Sequence, residues 1–185
     1  MKKKWITCAF LGIAAACMMA LLLRRPLLVE VYLLELSNCK FDRKLSAAAG
    51  LADIRTQRAI SGVCDLFAMD ASDPGIRRAL TYMGVDAVPC LIKSLADKDE
   101  ERRVTAAAIL RSLGADASAA AGPLEQALGD PNALVRYWAA YAFSEIDEVR
   151  PEAVGRLKSL AASDSDEDVR QIAEYVLQNR GLDVE

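Results

Sequence analysis

The 185 residues suffice for one ordinary domain plus a short extra segment, and their 53% hydrophobic content with only 6% aromatics leaves alanine and leucine to supply the apolar surface, which points to an all-α fold. No histidine occurs, which excludes Ser-His and Cys-His nucleophile pairs, the HExxH zinc proteases and the commonest metal ligand. Five of the 23 basic residues (Lys2, Lys3, Lys4, Arg24, Arg25) precede the first acidic one, Glu30, so the rest of the chain carries 18 basic against 26 acidic groups, repels phosphate backbones and is expected to bind no nucleic acid.

Trp5 to Leu23 is a run of 19 uncharged residues bracketed by Lys2-Lys3-Lys4 and Arg24-Arg25. As a helix rising ~1.5 Å per residue it matches the ~30 Å hydrocarbon thickness of a bilayer. Residues 1–25 are therefore read as a single-pass anchor, with residues 5–23 in a membrane such as the bacterial inner membrane. Two alternatives stay open. Ala14-Ala15-Ala16 gives the outline of a cleavable signal, and the following Cys17 is where a bacterial lipoprotein would be lipidated. Basic residues flank the run on both sides, so the charge rule does not assign the side on which the body lies.

Residues 26–41 are predicted to form a connecting helix, because Leu27 to Leu36 is strongly apolar and interrupted only by Glu30 and Glu35. It should shield the first helix pair, expected around Lys44 to Ala49 and Ala59 to Phe67. A shorter unit follows at Asp73 to Gly84.

From there the chain is periodic. Ala87-Val88-Pro89-Cys90-Leu91, Ala120-Ala121-Gly122-Pro123-Leu124 and Ala153-Val154-Gly155-Arg156-Leu157 recur at steps of 33 residues, and a fixed period of this size means stacked supersecondary units. Between them Asp97 precedes Arg103, Asp130 precedes Arg136 and Asp164 precedes Arg170, each pair six residues apart. Each arginine opens a helical pattern: Val135, Ala139, Ala140, Ala142, Phe143 and Ile146 share one face, as do Ala106, Ala107, Ile109, Leu110 and Leu113 ahead of the helix stop at Gly114. A final helix is expected near Glu167 to Asn179, its Gln171, Glu174 and Gln178 forming the polar outer side of a terminal unit. An aspartate ahead of each helix is expected to cap its exposed amides.

Segments such as GDPNALVRYWAAYAF and SDEDVRQIAEYVL resemble HEAT repeats, especially the bacterial bilin-lyase-like subtype, over Asp73 to Leu182. The resemblance implies a right-handed α-solenoid of about four helix pairs over residues 42–185. It also implies that the turn aspartates Asp97, Asp130 and Asp164 and the arginines Arg103, Arg136 and Arg170 bond between adjacent units. Solenoids of this kind bind proteins along the surface of their second helices, which here would offer Lys93, Glu125, Gln126, Arg156, Lys158 and Ser159. Pigment attachment, the activity of bilin lyases, is an alternative implied by the subtype. Iron-dependent hydroxylation by HEAT-like helices needs His-Glu pairs and is excluded.

Tyr137, Trp138 and Tyr141 sit off the Ala139, Ala140 and Phe143 face and are a candidate interaction surface. Thr105 and Ile172 occupy the positions equivalent to Trp138, which favours packing between repeats for that side chain. The carboxylates of SDSDEDVR lack the central glycine and distant glutamate of a calcium loop, so capping and solubility explain them. Cys8, Cys17, Cys39, Cys64 and Cys90 show no CxxC and no repeated spacing and read as small buried apolar residues; the last three would leave at least one unpaired thiol in an oxidising compartment, which favours a reducing one. Together these features predict a non-enzymatic interaction scaffold tethered to a membrane, with a protein partner and no cofactor or metal; a secreted or lipidated repeat binder is the alternative.

Overall fold

The computed structural model describes residues 26–37, 41–54, 56–146 and 149–182. The anchor expected at residues 5–23 lies outside them. Among the described residues no helix is long and apolar enough to cross a membrane, and there is no strand.

The chain forms α1 (residues 26–37), α2 (Phe41–Ile54), α3 (Gln57–Met69), α4 (Pro74–Met83), α5 (Val88–Leu95), α6 (Glu100–Leu113), α7 (Ala121–Ala127), α8 (Ala133–Ala142), α9 (Pro151–Ser163) and α10 (Glu167–Asn179). Short 3-10 turns, Gly84–Ala87 and Gly114–Ala120, lead into α5 and α7. Helices α2, α4, α6, α8 and α10 pack successively in one row, and α5, α7 and α9 do so in a second. Each helix of the second row also packs on a neighbour in the first, as α5 does on α6 and α9 on α10. This is the helix-pair array of a solenoid.

Start and stop chemistry explains the boundaries. Asp73, Asp99, Asn132 and Asp166 have extended backbones, and each side chain accepts two amide hydrogen bonds from the first turn of the helix it opens. A cap of this kind contributes about 1 kcal/mol. The caps therefore differ from the expected ones: they stand two residues beyond Asp97, Asp130 and Asp164. Those three aspartates instead accept the backbone amide of the residue two positions on, at 2.8–2.9 Å, and so shape the turn that presents the cap. Gly84 and Gly114 end α4 and α6 at φ 59° and 57°, a left-handed backbone that only glycine adopts cheaply.

The core follows the period. Leu91, Leu124 and Leu157, one per unit, are fully buried from the second row. Each contributes roughly 2–3 kcal/mol of transfer free energy. Ala106, Ala107, Ala139, Ala140 and Ala173 are fully buried from the first row, and their small side chains let α6, α8 and α10 approach closely.

At the amino-terminal end α1 docks on the first pair. Val29 and Leu36 are buried. Tyr32 and Leu33 press so closely on α2 and α3 that a Cβ added to Gly50 would stand 2.5 Å from the Tyr32 ring, and one added to Gly62 would stand 2.5 Å from Leu33 Cδ1. Arg58 of α3 donates to Glu30 at 2.8 Å. A disulfide joins Cys64 of α3 to Cys90 of α5, with Cα atoms 6.1 Å apart. The reading of these two cysteines as small apolar residues is thus corrected: the fold brings Cys64 and Cys90 together across 26 residues of sequence.

Candidate interaction site

The aspartates and arginines of the period form a ladder across unit boundaries. Arg103 donates through Nε and Nη2 to the two carboxylate oxygens of Asp130, at 2.8 and 3.2 Å. Its Nη1 donates to the Asp97 carbonyl at 3.0 Å. Arg136 repeats the arrangement on Asp164 at 2.8 and 2.7 Å, with Nη1 on the Asp130 carbonyl at 2.9 Å. Arg170 donates to the Asp164 carbonyl at 2.7 Å. The planar guanidinium suits this work, because its fork closes on a carboxylate while one amino group remains for a carbonyl. These pairs are largely buried, with Arg136 and Asp164 side chains 12% and 5% exposed. The Arg136 hydrogen bond holds the Asp164 carboxyl below the usual carboxylate range, against the opposing effect of burial. The two arginines are correspondingly raised by Asp130 and Asp164.

Asp97, the first rung, differs. Its carboxylate takes Arg102 of its own unit at 3.1 Å. The preceding unit has no aspartate in the matching place: Arg77 stands four residues after the cap Asp73, as Arg103 does after Asp99, but Ala71 occupies the position of Asp97.

Arg77 instead lines an open face running along α4, α6, α8 and α10. One cleft of about 470 Å³ between α4 and α6 is lined by Arg77, Arg78, Thr81, Tyr82, Arg111 and Ser112. A second, of about 380 Å³, reaches from Arg77 past Glu100, Glu101 and Val104 to Leu134. A third, of about 510 Å³ between α8 and α10, is lined by Leu134, Tyr137, Asp166, Asp168, Gln171 and Tyr175. Trp138 lines all three.

The aromatic group organises this face. Trp138 stacks on Tyr141 with ring centroids 6.2 Å apart and planes at 10°, while Tyr137 meets Trp138 edge-on at 5.1 Å. Tyr175 of α10 joins Tyr141 edge-on at 6.2 Å. The Arg111 guanidinium lies 4.0 Å from the Tyr141 ring centroid, a cation–π geometry, and its buried Nε has no hydrogen-bond partner. Trp138 packs against the core and is half-buried, so it is both a packing residue and part of the cleft wall. Charge divides along the face: three arginines and no carboxylate line the α4–α6 cleft, whereas Asp166 and Asp168 line the α8–α10 cleft.

Sequence reasoning singled out Tyr137, Trp138 and Tyr141 and missed Arg77, Arg78, Arg111 and Tyr175. A signal for Tyr175 existed, because Tyr141 to Tyr175 is the same 34-residue step as Arg136 to Arg170. The other expected surface lies on the second row. Lys93 of α5, Gln126 of α7 and Arg156 of α9 are exposed there, with Ser159, and line none of the three clefts. Lys158 is half-buried. Glu125 is not a solvent-facing residue: its side chain is only 12% exposed, accepts from Arg150 at 2.6 Å and lies 3.6 Å from Arg156.

Two engineered proteins solved as crystal structures by the Northeast Structural Genomics Consortium share the fold. The first is 22% identical with a TM-score of 0.52, covering 82% of this chain and 78% of its own. The second is 25% identical with a TM-score of 0.51, covering 82% of this chain, which spans about half (47%) of that protein's length. No curated protein matches the chain. Residues 88–178, from the start of α5 into α10, match the family model of HEAT repeats.

Proposed function

We propose that this protein is a non-enzymatic HEAT-repeat scaffold, tethered to a membrane by residues 5–23, that binds a protein partner along the α4–α6–α8–α10 face. The observation that carries the binding reading is the continuity of the three clefts through Trp138. A half-buried aromatic cluster flanked by arginines has the composition of an interface hot spot, where aromatics and Arg dominate. Repeat arrays generally use such extended surfaces to hold other proteins. The tether is supported by the 19-residue uncharged run between basic flanks. The Cys64–Cys90 disulfide supports a body facing an oxidising compartment, where such bonds persist.

The test compares two sets of substitutions in the full chain purified with its partners from membranes. Trp138→Ala with Arg111→Ala is expected to release the partner, and Lys93→Ala with Gln126→Ala and Arg156→Ala to retain it. Release by the second set alone moves the binding face to the other row, and a chain that co-purifies with nothing ends the scaffold reading.

A further inference from the structure

One apolar surface is not used by the repeat array. On α1, Leu27, Val31 and Leu34 are 68%, 50% and 63% exposed, with Leu28 beside them at 41%. Positions 27, 31 and 34 fall on one helix face at i, i+4 and i+7. The opposite face carries Val29 and Leu36 into the core and sets Tyr32 and Leu33 against Gly50 and Gly62. The helix is therefore clamped on one side and bare on the other, so its apolar stripe cannot be turned inward without undoing that clamp. Elsewhere the exposed large hydrophobics, such as Met69, Tyr82, Val85 and Leu134, stand on separate helices or turns.

What precedes α1 says what covers the stripe. The uncharged run ends at Leu23, and α1 is underway at Pro26, with only Arg24 and Arg25 between. Three residue steps span at most about 10 Å when fully extended. Proline at 26 has no amide hydrogen to donate within a helix, and its ring disfavours helical backbone in the residue before it, which favours a change of direction after the run over a straight continuation. An apolar stripe tied within ~10 Å of the hydrocarbon boundary lies at the depth where interfacial helices bury their apolar side.

We infer that α1 is an interfacial helix, its Leu27, Leu28, Val31 and Leu34 face resting in the headgroup and acyl boundary of the lipid bilayer. This rests on the reading of residues 5–23 as an anchor. The stripe fits a lipid surface better than a charged partner: its two bordering acids are Glu30, held by Arg58 at 2.8 Å, and the half-buried Glu35. Docking through Gly50 and Gly62 then fixes the array relative to the membrane instead of leaving it on a free tether.

The experiment uses the full chain, alone, in phosphatidylcholine vesicles, with the photocrosslinker p-benzoylphenylalanine at Val31, at Leu34 or, as a control on α10, at Tyr175. Intact mass after illumination should gain one phospholipid at Val31 and Leu34 and none at Tyr175. A dimer crosslink would give the stripe to a second copy, and an internal crosslink to residues 5–23 would give it to the chain itself; either overturns the inference. So does a chain that stays with the vesicles through alkaline carbonate but yields no adduct at Val31 or Leu34, since the stripe then faces water. A chain stripped off by carbonate fails at the anchor reading, and the inference falls with it.

Discussion

Arg136 reaches across 28 residues of sequence to close both prongs of its guanidinium on Asp164, at 2.8 and 2.7 Å, while its third nitrogen holds the Asp130 carbonyl. One side chain thus ties two successive turns of the array to the helix that carries it, and both members of the ion pair are largely withdrawn from water. Removing one partner leaves a buried charge uncompensated. Arg136→Ala or Asp164→Asn is expected to cost about 3 kcal/mol, read as a lowered urea midpoint with unchanged slope. Arg102→Ala, which breaks a more exposed contact with Asp97, should cost under about 1 kcal/mol.

The same pair sets a pH dependence. Asp164 is held below the usual carboxylate value, first by the Arg136 hydrogen bond. A group whose folded pKa lies below its unfolded pKa binds more protons when unfolded, so its contribution is present above about pH 4 and lost as pH falls through the folded value. Stability of the parent chain should decline in that acid range, and the decline should be shallower in Asp164→Asn. Identical acid slopes in the two proteins would remove Asp164 as the titrating group.

Tyr141 lies beneath both Trp138 and Arg111. Tyr141→Leu keeps apolar bulk but loses the ring, and it is expected to cost about 1–2 kcal/mol through the lost aromatic and cation–π contacts. Tyr141→Phe should be close to neutral. A double substitution with Arg111→Ala should cost less than the sum of the two singles, as coupled neighbours do.

The disulfide between Cys64 and Cys90 closes a stretch of 26 residues. In the chain-entropy account such a loop contributes about 3.5 kcal/mol. Reductant, or Cys64→Ser, is expected to lower the melting temperature of the folded chain. Maleimide should modify neither thiol in unreduced protein unfolded in denaturant; modification of both would show that the bond does not form.

Gly62 marks the close approach of α1 to α3. Gly62→Val should loosen the Leu33 contact and raise amide exchange across residues 27–36, leaving α6 to α10 protected. Uniform loss of protection would mean that α1 and the distal units unfold as one.

The helices of the periodic part were legible because the 33-residue step places Leu91, Leu124 and Leu157 at equivalent buried positions and repeats an alanine-lined face at Ala106 and Ala139. The rungs were legible for the same reason, as Asp-x5-Arg spacing. What the spacing hid was the division of labour inside each turn, where Asp99, Asn132 and Asp166 cap and Asp97, Asp130 and Asp164 bind the turn and, in the last two, the neighbouring arginine. Two acids so close together have no distinguishable signature until the backbone is placed. The α4–α6 cleft was illegible because the shortened unit around Asp73 breaks the register that would have aligned Arg77. The pairing of Cys64 with Cys90 depends on the fold bringing those two points of α3 and α5 together, a tertiary fact without local signal.

The ladder has a direction, since Arg103 and Arg136 each reach the aspartate of the following unit. Fraying from the carboxyl-terminal end would strip Asp164 from Arg136 and leave a guanidinium in a half-closed interior, and a guanidinium cannot shed its proton to escape the penalty. Fraying from the other end would strip Arg103 from Asp130 and leave an aspartate that still accepts the Asn132 amide at 2.8 Å. The two ends are therefore not equivalent: peeling from the carboxyl-terminal side strands a cation that cannot be discharged, so the array should open from its amino-terminal side first.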